Sequence, residues 1–257
     1  MFERINWRLT GRGLLAISLI GSTLLLDIEG VRADRTRNDT TARGWPTRRV
    51  GGGSRTGCLP DSRFCSTVMA LVPDGLLRTT KASPTLLFYL PSIANPRNAR
   101  LEFVLRDEND RLVYEKIFTS NGEAGILEFA LDPSATFAGL ESDRTYQWYL
   151  SIVRDPSDRA RDEVVEGWIQ RVPLQTTLAR QVEALSPIDR VKWYESENLW
   201  TEVLSELAKL KQSNPENEQI SRLWREAIAA LALPPGFGDS VKDNLELPRS
   251  LPVEETR

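Results

Sequence analysis

The spacing of apolar residues changes once along this chain, and that single change constrains the fold more than any other feature. Between about residues 66 and 173 apolar side chains recur at every second position; after Pro173 they recur every 3.6. A period of two places alternate residues on opposite faces of a strand, and a period of 3.6 draws a stripe along a helix. A chain that completes its strands before beginning its helices cannot build alternating β-α-β units with a parallel sheet. The order predicts an α+β protein in which strands pair with one another and helices are added afterwards.

Seven strands are expected. The runs 66–73 (STVMALVP) and 84–90 (PTLLFYL) are β-prone and bounded by proline. Residues 100–106 set Leu101, Phe103 and Leu105 against Glu102, Val104 and Arg106, as a strand with one dry face does. The polar Asp107-Glu108-Asn109-Asp110 then turns the chain into 111–118, predicting an antiparallel hairpin. Residues 126–131 alternate through Leu127, Phe129 and Leu131, and residues 145–153 through Tyr146, Trp148, Leu150 and Ile152. The run 164–172 (VVEGWIQRV) closes the series. With no crossover helices to connect parallel strands, a two-sheet antiparallel sandwich over residues 58–173 is the economical solution. Leu140 stands six residues before Tyr146, which opens the most aromatic strand. That spacing resembles the tyrosine corner of fibronectin type III and other immunoglobulin-like sandwiches, where the phenol hydroxyl bonds back to the backbone.

Residues 174–233 read as helices. Leu174, Leu178, Val182 and Leu185 form one stripe. Ser186-Pro187 restarts the chain with Ser as cap, Pro at the first helical position and Asp189 three residues after the cap; Ile188, Val191 and Tyr194 face inward. Beyond Glu197-Asn198 a helix carries Trp200, Val203, Leu204, Leu207 and Leu210 on one face, and Asn214-Pro215 marks the next boundary. Ile220, Leu223, Trp224, Ala227, Ile228 and Leu231 form the last stripe. The pattern looks like one and a half tetratricopeptide units, too few to stand as a solenoid. It is expected to pack on the sandwich or to offer a docking face, with Trp200 and Trp224 as candidate binding residues. Residues 234–257 contain four prolines and no apolar period, so they read as a disordered tail.

The amino terminus reads as an export signal. Arg4, Arg8 and Arg12 precede a mostly apolar run from Leu14 to Leu26, and residues 1–33 end in Val31-Arg32-Ala33, small at both positions a signal peptidase inspects. Thirteen residues of helix reach only about 20 Å, against roughly 30 Å of hydrocarbon. Asp27 and Glu29 leave an uncleaved amino-terminal anchor as the alternative. The expected location is periplasmic or extracellular, with no transmembrane segment after signal cleavage. Residues 34–57 hold six Arg against two Asp and read as a disordered basic leader, or as a tether to an acidic surface. Cys58 and Cys65, the only cysteines, are read as a disulfide in an oxidising compartment; the alternative, two reduced thiols, lacks the C-x-x-C spacing of a redox motif.

The chain contains no histidine, which removes imidazole-based triads and His-ligated metal centres. Gly51-Gly52-Gly53-Ser54-Arg55-Thr56-Gly57 lacks the Lys of a phosphate loop and the pattern of a nucleophile elbow. Carboxylate pairs are the remaining route to catalysis. Asp155, Asp158, Asp162 and Glu163 crowd one loop and Asp107, Glu108 and Asp110 another, each interleaved with Arg, so solvated charge is the simpler reading. A loose calcium site in the loop 155–163 stays open. No catalytic residue, metal ligand, cofactor or nucleic-acid partner is expected.

Gly51-Gly52-Gly53-Ser54-Arg55, Cys58, Ala70-Leu71-Val72-Pro73, PTLLFYLP, LEFVLRDE, VEGWIQRV and LWTEVLSELAKL, taken in order, resemble the cyanobacterial family called domain of unknown function 928. The likeness runs from about residue 50 to 233, and VEGWIQRV is its most specific block. The resemblance implies an exported protein with a β-sandwich and an α-helical end, and it brings no catalytic residues. The expected function is a non-catalytic exported protein that binds another protein or an envelope component. The alternative is an acid-pair hydrolase acting on cell-wall or extracellular glycan.

Overall fold

A computed structural model describes residues 46–52, 67–93, 100–120, 122–233 and 254–255. Among the described residues nine strands precede the helices: β1 (Arg48–Gly52), β2 (Met69–Ala70), β3 (Leu76–Thr79), β4 (Thr85–Leu90), β5 (Arg100–Asp107), β6 (Leu112–Thr119), β7 (Gly125–Ala130), β8 (Thr145–Val153) and β9 (Glu163–Arg171). Four helices follow: α1 (Thr176–Glu183), α2 (Pro187–Ser196), α3 (Trp200–Ser213) and α4 (Glu218–Ala230). A last pair of residues, β10 (Glu254–Glu255), lies against the end of β6. The architecture is α+β, a mostly antiparallel sheet followed by helices.

The strands form one hydrogen-bonded path, β10-β6-β5-β8-β9-β1-β2-β4-β7, curled so that its two ends face each other. Phe103 of β5 stacks on Phe129 of β7 with ring centroids 4.2 Å apart, Phe118 of β6 lies 5.4 Å from the same ring, and Phe88 of β4 meets Trp148 of β8 edge-on at 5.6 Å. These aromatics fill the space between the four-stranded layer β6-β5-β8-β9 and the three-stranded layer β2-β4-β7. All seven expected strands are present, and β5 and β6 form the expected hairpin.

Three features differ from the sequence reading. The leader assigned to residues 34–57 contributes β1, which pairs with both β2 and β9 and joins the layers into one path where two separate sheets were expected. Its sequence, RRVGG, carries no apolar period; what holds it is distant. The nearly buried Arg49 side chain donates to Leu231 O at 2.7 Å, at the end of α4, and pairs with Asp74 at 2.8 Å. Second, β3 pairs with β9 in parallel, Leu76 opposite Trp168 through Thr79 opposite Arg171. The need for a crossover helix applies to consecutive strands; here the chain travels through the other strands before returning. Third, a two-residue strand belongs to the tail assigned to residues 234–257.

The middle layer explains why 84–90 is apolar without alternating. Leu86 and Phe88 pair with Phe129 and Leu127 on the inner face. Leu87 pairs with Glu128 on the other side, where Gln212 of α3 donates to the Glu128 carboxylate at 2.6 Å. Since α3 covers that outer face, β4 is buried on both sides. By contrast β5 alternates strictly between buried and half-buried, because no layer of the described residues covers its outer face.

Helix boundaries follow the capping chemistry. The Ser186 hydroxyl accepts from Asp189 N–H at 3.2 Å and donates to the Asp189 carboxylate at 2.7 Å. The cap of α4 is Asn217, which accepts from the N–H groups of Gln219 and Ile220. The stripe expected of the first helix is only partly used: Val182 is buried, whereas Leu178 and Leu185 each remain 37% exposed. No helix of the described residues is long and apolar enough to cross a membrane.

Candidate functional site

The acidic residues singled out for chemistry are engaged with near neighbours. Asp107, at the end of β5, accepts from the backbone N–H of Asn109 (2.9 Å) and Arg111 (3.0 Å), and its other oxygen takes the Arg111 guanidinium at 2.9 and 2.7 Å. The Arg111 hydrogen bonds hold this carboxyl down to about 2. In the loop 155–163, Asp155 accepts from Ser157 N–H (2.8 Å) and hydroxyl (2.6 Å), and these bonds lower its pKa. Asp158 pairs with Arg161 at 3.1 Å, and Asp162 with Arg159. Buried Glu163 binds Arg154 and accepts from the Thr67 hydroxyl (3.1 Å) and Val68 N–H (3.3 Å). Among the described residues no group of three or more acidic side chains converges as a metal cage. These carboxylates fasten a loop between β8 and β9.

A fully buried carboxylate that the sequence reading missed fastens the helices to the sheet. Glu202, in the first turn of α3, accepts from the Thr79 hydroxyl (2.8 Å), Thr80 N–H (2.7 Å) and Thr80 hydroxyl (3.0 Å), with its second oxygen taken by Thr201. The nearby Lys81 is held below its ordinary pKa by burial, a shift that Glu202 opposes. Its sequence signal was a Glu in the first helical turn, which a helix dipole alone explains. The pairing with β3 is not visible in local pattern.

Trp200 and Trp224, read as candidate binding residues, are 9% and 1% exposed and belong to the core between helices and sheet. Buried indoles cannot stack on a ligand, so the helical face that carries them is packing surface. Leu140 is buried, and the Tyr146 hydroxyl accepts from Glu141 N–H at 3.1 Å, the back-bond that the Leu140–Tyr146 spacing predicts. The chain approaches that corner through Gly139, whose φ of +116° and contact with the Ala82 backbone admit no side chain without strain. Cys58, Cys65 and the glycine run that follows Gly52 lie outside the described residues, as does the segment 1–33.

Among the described residues, a further surface with chemical character is the outer face of β5, β8 and β9. Strand register turns these residues into a grid of three rows: Glu102, Ser151 and Val164; Val104, Tyr149 and Glu166; Arg106, Gln147 and Trp168. All but the more deeply set Ser151 are half-buried. The ionised members are neutralised in pairs. Glu166 meets Arg48 at 3.4 Å, Glu102 meets Arg159 at 3.0 Å, and Arg106 meets Asp110 at 3.4 Å. Burial raises the pKa of Tyr149, and the carboxylates of Glu166 and Asp110 add to the shift. On the opposite face Trp148 lies over Gly167, where any Cβ would approach its ring to 2.5 Å. Alternation alone identifies the outward residues of each strand; only the register sets them side by side.

A family profile described as Domain of Unknown Function (DUF928) matches residues 50–234, most of the chain and nearly all of its described part. The chain belongs to the DUF928 family. Its matched region begins within β1, one residue after Arg49, and ends just after α4. No curated protein and no solved structure matches this DUF928 chain.

Proposed function

We propose that this DUF928 protein is an exported, non-catalytic module that binds a macromolecule of the cell envelope through the outer face of its four-stranded layer. The observation that carries the proposal is the contrast between that face and the acidic loops. In the loops Asp107, Asp155, Asp158 and Glu163 are bonded to Arg, Ser, Thr or backbone N–H groups, whereas the face presents Tyr149 at the centre of a grid that no described layer covers. An acid-pair hydrolase needs one carboxyl free to give a proton and another with open lone pairs; the bonding around Asp155, Asp158 and Glu163 works against that role, and of the four only Asp162 keeps a buried oxygen without a hydrogen-bond partner.

The strand order supports an immunoglobulin- or fibronectin-III-like sandwich as the carrier. One layer runs β2-β4-β7 and the other β6-β5-β8-β9, with a tyrosine back-bond near the start of β8. The packing of α2 on α3 and of α3 on α4 supports a tetratricopeptide-like reading of the helices, but α3 packs on β3 and β4, which moves the docking role away from the helices. The basic start and 13-residue apolar run of residues 1–33 support export, and an oxidising destination supports a Cys58–Cys65 disulfide.

The test is retention of envelope components by the immobilised full chain, comparing wild type with Tyr149→Ala on the sheet and Leu178→Ser on α1. Loss of a defined component with Tyr149→Ala alone supports the reading. Loss with Leu178→Ser alone moves the docking surface to α1 and overturns it.

A further inference from the structure

The grid on β5, β8 and β9 has a chemistry of its own. The ordinary outcome for neighbouring polar side chains on a sheet is mutual hydrogen bonding. Along the outer face of β8, Gln147, Tyr149 and Ser151 depart from it: none makes a side-chain hydrogen bond among the described residues. The charged side chains flanking this column are the reverse case, each with an opposite charge beside it. What the surface leaves available is therefore an aromatic ring, an amide and hydroxyls, all uncharged. Burial keeps the Tyr149 hydroxyl protonated to higher pH than an exposed tyrosine, so it remains a donor.

We propose that this face binds a neutral, hydroxyl-rich glycan chain, with Tyr149 as the platform for a sugar ring and Gln147 and Ser151 as hydrogen-bonding groups on either side of it. The inference rests on the proposed envelope-binding role and names its ligand. An aromatic ring takes the apolar face of a sugar while a few placed amides and hydroxyls take its edge, the division of labour expected of a polar-ligand site. Alternate residues on a strand are about 6.5 Å apart, so the three groups form a track along β8 for an extended chain. A polyanion would want uncompensated cations, and the grid's only arginine, Arg106, is paired with Asp110. A protein would want a contiguous apolar centre, and here the central row runs from Val104 through Tyr149 to the Glu166–Arg48 pair.

Affinity electrophoresis of the full chain tests the proposal, in gels holding a soluble neutral glucan, a neutral mannan or dextran, with alginate as the polyanion, at low and high salt. The expected result is retardation by at least one neutral polymer, unchanged by salt. Tyr149→Ala should weaken it about tenfold, equivalent to about 1.4 kcal/mol, and Gln147→Ala should weaken it too, with both variants melting as folded proteins. Retardation by alginate alone, abolished by salt, overturns the proposal. So does retardation by a neutral polymer that Tyr149→Ala and Gln147→Ala leave intact. If no neutral polymer retards the chain while envelope retention still depends on Tyr149, the glycan is wrong and the wider reading stands. If neither occurs, both fall.

Discussion

Replacing Gly167 by alanine puts the packing of the two faces of β9 to a quantitative test. A Cβ at this position would lie 2.5 Å from Trp148 Cζ2 and 2.9 Å from Cε2. Carbon atoms rest at about 3.5–4.0 Å, so the indole must withdraw by about 1 Å. It has nowhere to go: Trp148 is fully buried and meets the Phe88 ring edge-on. Overpacking of this kind costs about 1–3 kcal/mol. Alanine recovers about 0.5–1 kcal/mol by removing the conformational freedom of glycine in the unfolded chain. The Gly167 backbone is outside the left-handed region, so alanine adds no strain of its own. With a required shift of about 1 Å against a fixed indole the steric cost falls in the upper part of its range, about 2–3 kcal/mol, and a net destabilisation of about 1–2 kcal/mol follows. Urea unfolding should show a lower midpoint at unchanged m-value. Because the clash is with the six-membered ring of the indole, the alanine penalty should shrink in a Trp148→Phe background, giving a positive coupling in the double-mutant cycle. A Gly167→Ala protein as stable as the wild type, or more stable, would refute the argument that this glycine exists to seat Trp148.

Further outcomes follow from the same contacts. Tyr146→Phe removes the back-bond to Glu141 N–H and should cost about 0.5–1.5 kcal/mol in urea unfolding without altering the circular dichroism of the sheet. Glu202→Ala leaves the Thr79 and Thr80 donors without an acceptor and should cost about 1–3 kcal/mol, with α3 amides losing hydrogen-exchange protection before those of β5 and β8. Asp107, depressed to about 2 when folded, contributes stability that is fully present above its unfolded value near 3.8 and is lost as pH falls toward 2. Acid titration of the unfolding midpoint should therefore be flatter below pH 4 in Asp107→Asn. Amino-terminal sequencing of the protein recovered outside the cytoplasm should begin at Asp34 if the signal reading holds.

Much of the fold was legible because its determinants are local. Ser186-Pro187, Glu197-Asn198 and Asn214-Pro215 mark the breaks between helices, although α1 and α3 begin without a side-chain cap, and β5 announces its dry face through Leu101, Phe103 and Leu105. Asp107 was legible as a turn residue, although not as the acceptor of four hydrogen bonds. The losses have one cause. The stripe of Leu174, Leu178, Val182 and Leu185 predicted a buried helix, yet periodicity says only which residues share a face, not whether anything lies against it. Trp200 and Trp224 carried the opposite error, candidates for exposure that α3 and α4 place in the core.

The sequence alone determined seven of the nine described strands that precede the helices, and the four helices, in their order, because the period of apolar residues, proline, and side-chain caps act within a few residues. Tertiary structure decided which strands became neighbours: β1 closing the seam between the layers, β3 lying parallel to β9, and Gln147, Tyr149 and Ser151 set among cancelled charges. Those choices depend on contacts such as Arg49 with Leu231 and Glu202 with Thr79, made across 182 and 123 positions of chain. No window on the sequence spans them, since their free energy exists only once the intervening residues have folded.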